Sequence, residues 1–145
     1  MISKLLSQVL KGQPERLTDD DARVALTALL VRAARADQFY DDREARQIDQ
    51  ILQVRFDLSP FEAAALRAEG EKAETEAADT VQFTRAIKEV IPLEERISVI
   101  AALWQVVLVD QERDPEEDSL LRLVSNLLGI NDRDSAIARQ SVQQR

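Results

Sequence analysis

The chain has 145 residues, 45% of them apolar and 32% charged, with a formal net charge of −8. A chain of this size suits one folded domain that buries roughly 68–70% of the surface its unfolded form exposes, and the negative field disfavours nucleic acid and anionic lipid as general partners. Cys and His are both absent, which excludes disulfides, thiol redox chemistry, imidazole bases and Cys/His zinc sites, so any metal must be a hard one held by oxygen.

The opening residues, Met1-Ile2-Ser3-Lys4-Leu5-Leu6, have neither a long apolar core nor a small-residue cleavage site, so no secretory signal is expected. Ile2, Leu5, Leu6, Val9 and Leu10 recur at helical spacing, and Gly12 with Pro14 ends that short helix. Its stripe, with Lys4 and Lys11, could lie on a membrane surface, although packing on the rest of the protein is the expected arrangement. A second helix is predicted from about 18 to 37, apolar around most of its circumference (Val24 through Ala34) and therefore central and buried. A third follows from 41 to about 56, with Ile48, Ile51, Leu52 and Phe56 on one face.

Ser59-Pro60-Phe61-Glu62 reads as a capping box with Pro at the first helical position. The helix it opens is expected to become polar and exposed over residues 69–76, with Gly70 weakening it, before Asp79-Thr80-Val81-Gln82 starts another. Ile91-Pro92-Leu93 marks the next boundary, because proline disfavours helix in the residue before it. From about 93 to 110 the chain is again apolar nearly all round, with Trp104 expected in the core. Asp114 opens the helix that follows, Gly129 ends it, and Asn131 caps a last short one. Lys88, Arg85 and Arg96 read as scattered surface charges. The most apolar run, 97–109, is too short to span a bilayer, which needs ~20 residues. A cytoplasmic protein is expected.

A shift of 73 positions lays the second half on the first. Val24 meets Ile97, Leu30 meets Leu103, Val31 meets Trp104, Ala34 meets Val107, and Ile48 and Ile51 meet Leu121 and Val124. Asp37-Gln38, Asp41 and Glu44 fall on Asp110-Gln111, Asp114 and Glu117. Each half, about 18–62 and 93–134, is then a buried helix, an acidic turn and an amphipathic helix. The expected fold is all-α: one domain over residues 1–145, a bundle of about seven to eight helices with an internal pseudo-two-fold duplication.

Both turns read Asp-Gln-x-x-Asp-x-x-Glu. Asp41 with Glu44, and Asp114 with Glu117, are explained as capping boxes, favoured also by the helix dipole. Asp37 and Asp110 are not explained that way, because each falls at the C-terminal end of an apolar helix, where the dipole disfavours negative charge. Two readings follow: caps on a solvated acidic face, or a site for a hard divalent cation using carboxylate and carbonyl oxygens. The EF-hand spacing is absent. No Gly-rich phosphate loop or activated nucleophile supports nucleotide binding or covalent hydrolysis.

The duplicated unit (apolar helix to Ala36-Asp37, turn, Asp41 to Glu44, then an Ile/Leu-patterned helix) resembles the TerB-like family associated with tellurite resistance, over about residues 18 to 140. The resemblance implies an all-helical bacterial cytoplasmic protein linked to stress response, with clustered acidic residues proposed to bind divalent cations. Carried over by position, the metal candidates are Asp37, Asp41, Glu44, Asp110, Asp114 and Glu117. The family commonly has Asp-Gly at the turn where this chain has Asp37-Gln38 and Asp110-Gln111, and Gln resists backbone conformations that glycine permits.

The functional expectation is a non-catalytic protein binding divalent cations, protein partners or both through the paired acidic turns. The cofactor is at most a cation such as Ca²⁺, Mg²⁺ or Mn²⁺, with no organic group and no nucleic acid. The alternatives are a metal-dependent hydrolase with a carboxylate-bound centre, and a purely structural helical interaction module using the 69–79 segment or the N-terminal helix.

Overall fold

The computed structural model describes residues 19–36, 40–77, 79–108 and 115–143. Seven helices and no strand occur among them: α1 (Asp19–Arg35), α2 (Asp42–Phe56), α3 (Pro60–Glu76), α4 (Val81–Val90), α5 (Leu93–Val107), α6 (Pro115–Leu127) and α7 (Asp132–Gln143). This is the expected all-α bundle. The helix expected at residues 2–10 lies outside the described residues.

Most helix starts follow local side-chain chemistry. Ser59 Oγ accepts the Glu62 N–H at 3.1 Å while Glu62 Oε1 accepts the Ser59 N–H at 2.9 Å, a complete capping box ahead of Pro60. Asn131 Oδ1 accepts the Asp134 N–H at 2.8 Å and opens α7. Ahead of α4, Asp79 Oδ1 accepts the Val81 N–H at 3.0 Å, whereas the N-cap residue Thr80 makes no side-chain capping bond. Two helices end through left-handed residues. Gly129 takes φ 79° after α6, and the Ile130 N–H reaches back to the Ser125 carbonyl at 2.8 Å. Asp57 takes φ 54° after α2, one of the few non-glycine types that tolerate it.

The core is built on α1 and α5. From Val24 to Ala34 every α1 residue except Arg32 is buried, and α5 buries Val99, Ile100, Ala102, Leu103, Trp104, Val106 and Val107. The α1 helix packs most closely on α3 and also meets α2, α4 and α5, while α5 packs on α7, α1, α6 and α2. Each large apolar side chain buried this way contributes about 1.5–3 kcal/mol. The two all-round apolar helices are therefore covered on all sides, α1 chiefly by α3 and α4, α5 chiefly by α7, and each in part by the other, as their patterning requires.

The far half of α3 differs from expectation. Instead of an exposed polar stretch, residues 69–76 continue an unbroken helix that packs on α1, with Gly70 and Ala73 buried. A Cβ added at Gly70 would lie 2.4 Å from Thr27 Cγ2 and 3.1 Å from the Thr27 carbonyl carbon, so glycine is what allows the two helices to approach. Small residues carry little hydrophobic signal, which is why the patterning hid this contact. No described helix is long and apolar enough to cross a membrane.

Candidate functional site

Asp41 and Glu44 form the capping box that opens α2. Asp41 Oδ1 accepts the Glu44 N–H at 3.1 Å, and Glu44 Oε1 accepts the Asp41 N–H at 3.3 Å. The Glu44 N–H, and secondarily Arg43 at 3.4 Å, hold the Asp41 carboxyl below the usual aspartate range. Asp41 is exposed, but Glu44 is buried, and so is Glu117 in the first turn of α6. Glutamates 73 residues apart thus share both a first-turn position and burial. Asp37, Asp110 and Asp114 lie outside the described residues. Among the described residues, no three acidic groups come together in a way that could hold a metal ion.

The flanks of the two turns meet. The chain leaves α1 through Ala36 into the first turn and enters α6 at Pro115 from the second. Ala36 and Glu116 line one groove of about 470 Å³, together with Arg32, Arg35, Glu74, Ser119 and Leu120. The sequence left open whether the turns converge; this groove brings their flanking residues to one place.

One wall of the groove is an ion-pair cluster that the sequence did not reveal. Glu74, 12% exposed, receives Arg32 at 3.0 Å and Arg35 at 2.9 Å. Arg32 also donates to the carbonyls of Glu74 at 3.1 Å and Ala77 at 3.0 Å, satisfying the open C-terminus of α3, while its guanidinium lies 5.7 Å from the Phe83 ring centroid. Arg35 stacks 5.2 Å from the Tyr40 ring centroid and donates to Thr75 Oγ1 at 3.3 Å. The Tyr40 hydroxyl donates to Glu71 at 2.6 Å, and Arg67 bridges Glu71 at 3.0 Å to Asp49 at 2.6 Å. Burial first, and the Glu71 carboxylate second, push the Tyr40 hydroxyl pKa far above its usual value. The hydrogen bond to Asp49 raises that of Arg67.

The first turn is therefore tied to α3 on both sides, at Arg35 and at Tyr40. The overlooked signal was Arg32 and Arg35, three apart at the end of an apolar helix, with Glu74 on the packed helix receiving both and Glu71, one turn before it, receiving Tyr40 and Arg67. Arg96 is likewise no scattered surface charge: it donates to the carbonyls of Ile91, Leu128 and Lys88 at 2.9, 3.2 and 3.3 Å, tying the ends of α4 and α6 to α5.

Residues 23–140 match the family model of the tellurite resistance protein TerB. The chain belongs to the TerB family. No curated protein and no solved structure matches it. The TerB match spans both acidic turns, the groove between their flanks and all of α2 to α6, and it leaves out residues 1–22.

Proposed function

We propose that this TerB-family chain is a non-catalytic bacterial cytoplasmic protein that takes up a divalent cation at its paired acidic turns and presents that face to a protein partner. The observation that carries the reading is the shared groove. Ala36 and Glu116 line it together, so carboxylates on the turns beside them can contribute to one binding face. Arg32 and Arg35 flank the same groove but are engaged by Glu74, which limits how far they neutralise those carboxylates. Asp37 and Asp110 are the ligands that capping does not explain, and hard cations suit such oxygen-rich turns. Asp41 and Glu44 serve mainly to fix the turn, since each already holds a backbone N–H of the other.

The test is calorimetric titration of metal-stripped protein with Ca²⁺, Mg²⁺ and Mn²⁺. Saturable binding that is lost in the Asp37→Asn/Asp110→Asn double variant is the expected result. Equal heats for both proteins would refute the role given to the turns.

A further inference from the structure

A second groove, of about 440 Å³, lies between α2 and α5 and shares no lining residue with the one beside the acidic turns. Its volume falls in the range of small-molecule sites. Ile51 and Ala102, both buried, and the half-buried Ala101 give it an apolar floor, and Val54, 86% exposed, stands at its rim. The two helices run antiparallel along it. Arg55 of α2 reaches Ser98 of α5 at one end, and Gln47 and Gln105 stand at the other, roughly 12 Å away along α2.

The polar groups around that floor are largely uncommitted. Arg55 is half-buried, and its side-chain partner is a neutral one, the Ser98 hydroxyl at 3.0 Å. Ser98 Oγ in turn donates to the Glu95 carbonyl at 2.7 Å, which fixes the hydroxyl that holds the guanidinium. Among the described residues Arg55 forms no ion pair: Glu95 acts on it through its field, and Asp49 on the same helix is taken by Arg67 at 2.6 Å. Burial pushes the Arg55 pKa down, against the pull of Glu95. The side-chain amides of Gln47, Gln50 and Gln105 make no hydrogen bond to any described residue. No carboxylate is among the described residues lining the groove, in a chain that carries 27 acidic residues.

A half-buried guanidinium with a neutral partner is completed by an anion, and its planar fork fits a carboxylate. The floor beside it calls for an aliphatic body. The net charge of −8 separates a small ligand from a large one. Charges more than about 8 Å away are largely screened, so Arg55 governs a small anion in the groove, whereas a large acidic partner meets the repulsion of the whole surface.

We propose that the groove between α2 and α5 binds a small amphipathic carboxylate, with its acid group on Arg55 and its aliphatic body along Ile51, Val54, Ala101 and Ala102. The amides of Gln47, Gln50 and Gln105 then hydrogen-bond polar groups at the far end of the ligand. This site is independent of the acidic turns, and neither proposal rests on the other.

Chemical-shift titration of the ¹⁵N-labelled full chain with hexanoate, and with 1-hexanol as the uncharged counterpart, tests the assignment. Hexanoate should give saturable shifts confined to residues 47–55 and 98–105, with a Kd at least about tenfold below that of 1-hexanol. Arg55→Gln should remove that preference. Ala101→Phe, which fills the groove and keeps Arg55, should abolish binding of both compounds. Equal affinities in the wild type would overturn the proposal, as would a preference for hexanoate that survives Arg55→Gln. So would shifts gathered elsewhere on the surface, or no saturable shift with hexanoate up to about 10 mM. Resonances of residues 47–55 and 98–105 that broaden with protein concentration before any ligand is added would give the groove to a second copy, and would equally refute it.

Discussion

The two central helices solve the same packing problem with different chemistry. The α1 helix approaches α3 through Gly70 against Thr27 and then through the pairs of Arg32 and Arg35 with Glu74. Against α7, α5 uses an aromatic: Trp104 Nε1 donates to Ser135 Oγ at 3.3 Å, Ser125 lies 3.4 Å from the same hydroxyl, and Arg139 stacks 5.4 Å from the indole. At the positions 73 residues beyond Arg32 and Arg35 stand Gln105 and Leu108, which cannot form ion pairs. The first acidic turn thus leaves a helix clamped by charge, and the second leaves one whose end is held by apolar packing. Two grooves follow the same division. Arg32 and Leu120 line the groove beside the turns, while Gln105 and Gln47, each 73 positions away, line one of about 440 Å³ between α2 and α5.

Deleting the aromatic anchor should have the largest effect. Trp104→Ala should lower unfolding free energy by about 3–5 kcal/mol in urea titration, through lost burial and the cavity left behind. Next is the close contact in the other half: Gly70→Ala should cost about 1–3 kcal/mol although alanine is the better helix former, because Thr27 and its backbone must move. A neutral or stabilising outcome would mean that the α1–α3 approach is not held by glycine. Glu74→Gln leaves Arg32 and Arg35 without their shared charge and should cost about 1.5–3 kcal/mol, whereas Gln105→Ala should stay within about 0.5 kcal/mol. Equal effects would erase the distinction between the two halves.

Tyr40→Phe should cost about 1 kcal/mol, since Glu71 keeps Arg67. Its pH signature is the sharper test. Because the folded hydroxyl pKa is raised, its contribution is complete below the unfolded value of about 10 and is lost as pH rises past it. The wild type should therefore lose more stability than the variant on the alkaline side. Smallest of all is Asp41→Asn, which keeps a capping oxygen. The Asp41 carboxyl is depressed in the fold, so its contribution is present above about pH 4 and disappears as pH falls further. The variant should be slightly less stable than the wild type near neutrality, with a shallower acid slope, so that the gap between them closes as pH falls below about 4.

What could be read from the sequence was what neighbouring residues decide. The boxes at Asp41/Glu44 and Ser59/Glu62 and the cap at Asn131 involve residues three apart, and the structure has each of them. The buried helices α1 and α5, with Trp104 in the core, followed from apolar residues on every side. The contacts of α3 were not legible. Arg32 and Glu74 are separated by 42 residues, and nothing local tells a paired glutamate from a solvated one. For the same reason Asp41 and Glu44 were readable as caps, while the cluster of Arg32, Arg35, Tyr40 and Glu71 that bolts the first turn to α3 emerged only in three dimensions.

The most direct test of the account is thermal unfolding of metal-stripped protein with and without millimolar Ca²⁺, Mg²⁺ or Mn²⁺, at matched ionic strength, beside the Asp37→Asn/Asp110→Asn variant. A ligand that binds only the folded state raises the midpoint by linkage. The account predicts a cation-specific rise in the wild type that the variant lacks. A wild type that melts no higher with any of the three cations than with monovalent salt would contradict it, leaving the acidic turns as helix caps on a charged face.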